Sequence, residues 1–102
     1  MSFKIKYGVS TWLWTSPFTT ESVSLFPKIK EMGYDVVEIP VEDPALIDGK
    51  KVKEALAHHG LEAVVCGAFG PTRDLTNDDS AVHENCFQYI RDCFALCNIW
   101  ET

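Results

Sequence analysis

Apolar residues gather in three dense runs along the chain, and a stretch of helical period follows each one. The first run is Tyr7-Gly8-Val9-Ser10-Thr11-Trp12-Leu13-Trp14. It is rich in the β-branched and aromatic side chains that suit a pleated surface. A period of two puts Ser10, Trp12 and Trp14 on one face, with Val9, Thr11 and Leu13 on the other. Ser16-Pro17 ends it. The second run, Asp35-Val36-Val37-Glu38-Ile39-Pro40-Val41, is nearly continuous and predicts a strand covered on both faces, as in a parallel sheet. The third, Leu61-Glu62-Ala63-Val64-Val65-Cys66, opens into a loop from Gly67 to Asn77 that is full of turn formers. The strands are expected at about 7–14, 35–41 and 61–66.

The first helical pattern covers about 20–32. Thr19 or Thr20 caps it, and Glu21 suits the positive end of a helix. Val23, Phe26, Ile29 and Met32 form its apolar stripe. Pro27 either kinks the helix or marks a restart after Leu25. Gly33 stands where a helix commonly exits. The second pattern covers about 49–59, with Asp48 as cap, Val52, Ala55 and Leu56 facing inward, and Gly60 as stop. His58 and His59 lie at its C-terminal end, where a cation is favoured. The third covers about 79–97, with Asp78, Asp79 and Ser80 as alternative caps. Val82, Cys86, Tyr89, Cys93, Leu96 and Cys97 fill its inward face. Asn98 to Thr102 reads as a tail, not as an entry into a fourth strand.

Strands alternating with helices predict right-handed βαβ units and a parallel sheet, in one α/β domain over 1–102. A (β/α)8 barrel takes about 250 residues. Three units are therefore somewhat under half of one, an incomplete barrel with parallel strands and covering helices.

Composition narrows the class. The chain has 102 residues, of which 46% are apolar, and this argues against disorder. A formal net charge of −6 disfavours a nucleic-acid partner, which calls for a basic patch. No apolar run approaches the ~18 residues needed to span a membrane. The start goes straight into a strand and lacks the apolar segment of a signal peptide, which points to the cytoplasm. Without a secretory signal, Cys66, Cys86, Cys93 and Cys97 are expected as free thiols.

Few residues bear chemistry. Glu38 interrupts an apolar run, and a buried carboxylate needs a partner. It serves a ligand as hydrogen-bond acceptor, supports a metal shell, or pairs with a base on a neighbouring strand. Trp12 and Trp14 either stack on a ring or anchor the strand end to neighbouring loops. Cys66 as a nucleophile would need a lowered pKa and a nearby base; nothing in the sequence supplies one, so it reads as pocket lining. His83, Cys86, Cys93 and Cys97 share a helical stripe. From His83 to Cys97 a helix extends about 21 Å, whereas zinc ligands sit about 2.0–2.3 Å from the ion. Core packing is the better reading of that stripe.

Two segments carry a resemblance. Phe26-Pro27-Lys28-Ile29-Lys30-Glu31-Met32-Gly33-Tyr34-Asp35-Val36-Val37-Glu38-Ile39-Pro40 looks like the first αβ segment of the sugar epimerases. Gly60 to Cys66, followed by Arg73-Asp74-Leu75-Thr76-Asn77-Asp78-Asp79-Ser80-Ala81-Val82, is similar to the third strand and third helix entry of the D-tagatose/D-psicose 3-epimerases. These are xylose-isomerase-like TIM barrels, and the likeness covers their first three βα units. It implies a full-length enzyme that inverts C3 of a free ketohexose through an enediolate, with a manganese or cobalt ion as Lewis acid. The ligands of that ion, two Glu, one Asp and one His, lie on later strands of the family. No catalytic or metal residue is therefore expected within this chain, which looks like an N-terminal fragment and is expected to be inactive alone. By the same resemblance Trp14 or Phe18 walls the sugar after strand one, Cys66 packs beside it, and Glu38 faces the barrel mouth. A homo-oligomer is implied at full length. Hydroxypyruvate isomerase and inosose dehydratase share the barrel and remain alternatives. So does a non-catalytic binding or assembly fragment. Two unpaired sheet edges would leave the chain by itself marginal, oligomeric or aggregation-prone.

Overall fold

A computed structural model describes residues 4–102. Its centre is β2, Val36–Val41, with β1, Gly8–Ser10, on one side and β3, Glu62–Gly67, on the other. Both neighbours run parallel to it. Gly8 and Ser10 lie opposite Val36 and Glu38, while Glu38 and Pro40 lie opposite Val64 and Cys66. The alternation within β2 follows from the period of two. Val37, Ile39 and Val41 have no exposed surface and point into the helical layer. That layer holds α1, Phe26–Glu31, α2, Gly49–His58, and α3, Ser80–Trp100. The core beneath them gathers Phe18, Phe26, Ile29, Val52, Leu56, Tyr89 and Leu96. The opposite sheet face stays partly open, with Val64 43% exposed. Among the described residues the sheet is not closed.

The first strand is shorter than its sequence pattern. It ends at Ser10, and Thr11–Leu13 form a 3-10 turn. The Ser10 hydroxyl accepts the Trp12 N–H at 3.2 Å, a local bond that competes with the ladder. Trp12 and Trp14 therefore leave the strand face they were expected to share with Ser10.

The first helical segment is a 3-10 stretch, Thr20–Leu25, leading into α1. Of the two readings of Pro27, the restart after Leu25 is the one that forms. Proline stands in the first turn of α1, where its missing N–H leaves no bond unmade. Met32 is 47% exposed and drops out of the stripe. Steps of three residues rotate an α-helical stripe by about 60° each, so the row soon turns away from the core.

Asp48 caps α2 through the Lys51 N–H at 3.3 Å. Asp79, among the three alternatives, caps α3 through the Ala81 N–H at 2.9 Å. The third helix continues to Trp100, past its expected end at Cys97. Its last turn lies against the start of α2: a Cβ at Gly49 would stand 2.8 Å from Ile99 Cδ1. The four cysteines are free thiols.

The three helices exit alike. Gly33, Gly60 and Glu101 take φ of 98°, 63° and 58°. In each exit the next amide reaches back to close the turn: Tyr34 N–H to Ile29, Leu61 N–H to Leu56, and Thr102 N–H to Cys97. The first two exits lead directly into β2 and β3. The segment 98–102, read from sequence as a tail, thus holds the last turn of α3 and the same helix-exit geometry. Glu101 carries a side chain where its counterparts are glycine, and left-handed backbone costs a side-chain-bearing residue about 1–2 kcal/mol. Glu101→Gly returns part of that to greater freedom of the unfolded chain. A net gain of about 0.5–1 kcal/mol is expected, read as a higher urea midpoint at unchanged slope.

Candidate functional site

In parallel α/β architectures ligands gather at the C-terminal strand ends. On the open sheet face Ser10, the last residue of β1, stands level with Glu38 and Val64, midway along β2 and β3. Cys66 lies one step nearer the C-terminal strand ends, beside Pro40, which is fully buried. A shallow cavity of about 300 Å³ lies over the first half of this face, lined by Gly8, Val9, Ser10, Val36, Glu38 and Val64, with Cys66 outside its lining. A larger one, about 500 Å³, borders the free edge of β3 between Leu56, Glu62, Val64 and Trp100. It reaches the N-terminal end of β3, away from Cys66.

Glu38 is half-buried. The ion pairs among the described residues join Lys6 to Glu62, Lys30 to Asp35 and Lys53 to Glu101, and none reaches it. The ion-pair reading of Glu38 is therefore not realised among these residues. Its carboxylate escapes a full desolvation cost because the face is open.

Cys66 stands on the same face. Burial, reinforced by the nearby Glu38 carboxylate, pushes its thiol above the ordinary value. A thiol raised this way stays protonated at neutral pH and acts as a weak donor, not as a nucleophile.

Trp14 is half-buried against the core, with the Lys28 ammonium 5.5 Å above its ring. Phe18, its alternative as aromatic wall, has no exposed surface and stacks on Phe26 at 6.4 Å between centroids. The fold places Phe18 in the core, where it offers a ligand no contact. Thr11, at the same strand end, is fully buried, and its hydroxyl finds no hydrogen-bond partner among the described residues. The strand ends are tied together from outside. Ser16 Oγ donates to the Glu42 carboxylate at 2.8 Å. The Tyr89 hydroxyl donates to the Val41 carbonyl and accepts the Ala68 N–H. The sequence marked Tyr89 only as a core residue. Its hydroxyl role depends on partners far along the chain, for which helical period gives no signal.

Among the described residues no three His, Cys, Asp or Glu side chains converge as a metal-ligand set.

No protein-family model matches the chain. A ketose 3-epimerase of Arthrobacter globiformis is 35% identical over 79 residues, which are 76% of this chain and 27% of the relative. A probable ketose 3-epimerase of Synechocystis sp. is 27% identical over 94 residues, 92% of this chain and 33% of the relative. The fold matches D-allulose 3-epimerase from Methylomonas sp., solved in complex with D-allulose. The TM-score is 0.86 at 21% identity, over 95% of this chain and 34% of that one. An L-ribulose 3-epimerase gives 0.82 at 18% identity, over 95% and 33%. The three βα units are thus an open segment of the TIM-barrel epimerase fold. In sequence the chain is a relative of the ketose 3-epimerases, and it spans between a quarter and a third of the length of the two it matches.

Proposed function

We propose that this chain forms part of the sugar-binding wall of a ketose 3-epimerase, and that the reaction served is inversion at C3 of a free ketohexose such as D-tagatose or D-psicose. The observation that carries the reading is the open sheet face. There the Glu38 carboxylate, which no ion pair among the described residues reaches, stands in register with Ser10 and on the same side as the protonated thiol of Cys66, in a chain 35% identical over 79 residues to a ketose 3-epimerase.

Glu38 accepts hydrogen bonds from sugar hydroxyls. Cys66 supplies a small, weakly polar wall. Trp14, half-buried against the core beneath Lys28, stands just beyond the end of β1 as the aromatic candidate for the rim. The family's chemistry calls for a metal and for two carboxylates on opposite faces of the substrate. The described residues assemble neither, so no step of proton transfer is assigned to this chain.

The test is a titration of the ¹⁵N-labelled chain with D-psicose (D-allulose). Millimolar binding is expected, with amide shifts clustered at Ser10, Glu38, Cys66 and Gly67. Glu38→Gln is expected to weaken it about tenfold, the size of one charge-assisted hydrogen bond. Shifts confined to residues remote from this sheet face, or no saturable shifts, would discard the reading. The chain alone is expected to leave D-psicose and D-tagatose unconverted.

A further inference from the structure

Parallel strands exchange evenly spaced bonds. Between β2 and β3 the ladder opens with the Glu62 N–H on the Asp35 carbonyl at 3.0 Å. Alternate residues of β2 face β3, so this register brings the Ala68 N–H opposite the Val41 carbonyl as the last rung. That rung is not made directly. The Tyr89 hydroxyl stands inside it, taking the Ala68 N–H at 2.7 Å and donating to the Val41 carbonyl.

The tyrosine is held from several sides. It is 4% exposed. The Arg73 guanidinium lies 3.8 Å from its ring centroid, and the Phe69 ring meets it edge-on at 5.5 Å. Arg73 also donates to the Ala68 carbonyl at 3.0 Å. Both backbone groups of Ala68 are thus held by side chains, its amide from α3 and its carbonyl from the loop before it. Burial pushes the phenol up to about 12, so the hydroxyl keeps the proton it donates.

We propose that Tyr89 is a positioning residue for the candidate sugar site: its hydroxyl, inserted into the last rung, sets how far apart the ends of β2 and β3 stand, and so places Cys66 against the sugar. This rests on the sugar-wall reading above. An oxygen between donor and acceptor holds two strand ends wider than a direct bond does. Cys66 is two residues before Ala68, and Glu38 is three before Val41. A change in that width therefore moves the two groups relative to each other.

The unaltered chain gives the first measurement. Scalar coupling across a direct Ala68 N–H to Val41 carbonyl bond is expected to be absent, and its detection overturns the proposal. The second is Tyr89→Phe, which keeps the ring, its Arg73 and Phe69 contacts and the fold. The Cys66 Cβ resonance is expected to move, and its reaction rate with a thiol reagent to change about threefold or more. D-allulose dissociation is expected to rise about fivefold, the size of one ordinary hydrogen bond. Arg73→Met leaves the rung in place and is expected to shift Cys66 and the sugar affinity less. Tyr89→Phe with unchanged Cys66 and unchanged affinity overturns the proposal. If the unaltered chain takes no D-allulose, it is the sugar reading that falls. Cys66 then decides the role of Tyr89: a moved resonance keeps it, an unmoved one removes it. Should Tyr89→Phe fail to fold, the coupling measurement on the unaltered chain decides alone.

Discussion

Replacing Phe26 with alanine is expected to cost about 3–5 kcal/mol and to abolish cooperative unfolding of the chain. The ring has no exposed surface, and it stacks on Phe18, which is equally buried. It belongs to a core shared with Ile29, Val37 and Ile39. Truncation removes the transfer free energy of a large ring and leaves a cavity that the rigid sheet cannot collapse to fill. Natural domains hold only about 5–15 kcal/mol of net stability, and a domain this short has the lesser part of its surface to spare. Urea unfolding followed by near-ultraviolet dichroism checks this: a sloping, non-cooperative loss of signal is expected. Phe94→Ala is the control, because Phe94 is 68% exposed and surface changes usually stay within about 0.5 kcal/mol. Equal losses in both variants would mean that the core lies elsewhere.

Trp100→Ala is the second large effect, expected at about 3–5 kcal/mol and on the order of 15 °C in melting temperature. Trp100 is 7% exposed, and its indole N–H donates to the Gly49 carbonyl at 2.9 Å. It joins the last turn of α3 to the first turn of α2. Without it that turn has no reason to stay wound, so helical dichroism is expected to fall as well. Trp100→Phe keeps most of the buried area and loses one hydrogen bond, so about 1 kcal/mol is expected. A Trp100→Ala chain that melts like the parent would show that α3 is held by Tyr89, Cys93 and Leu96 alone.

The two effects mark where the sequence could be read and where it could not. Phe26 and Ile29 fell on a visible stripe, and Asp48, Gly33 and Gly60 announced their helix ends. Caps and exits act within a few residues, so local spacing carries them. Trp100 reads as part of a tail because the partner that buries it, Gly49 at the start of α2, lies far back in the chain. Phe18 entered as a rim residue through the family resemblance, as the alternative to Trp14, and a loop has no period to say which way its side chain turns. The end of β1 was overrun because alternating apolar residues continue past Ser10, while one hydroxyl bond ends the strand there. Glu38 and Cys66 share a face in the fold as the period of two requires. The width between their strands depends on Tyr89, which lies 48 positions from Val41, and no local pattern reports that.

The matched exits of the three helices have a modular consequence. Each helix ends through one left-handed residue and the same closing bond, and the first two of these exits lead into β2 and β3. The link works as a standard coupling. In the first two units this exit leads into a strand parallel to its predecessor. Units from barrels of the same fold are therefore expected to be exchangeable at Gly33 and Gly60, with the strand-end side chains as the variable cargo.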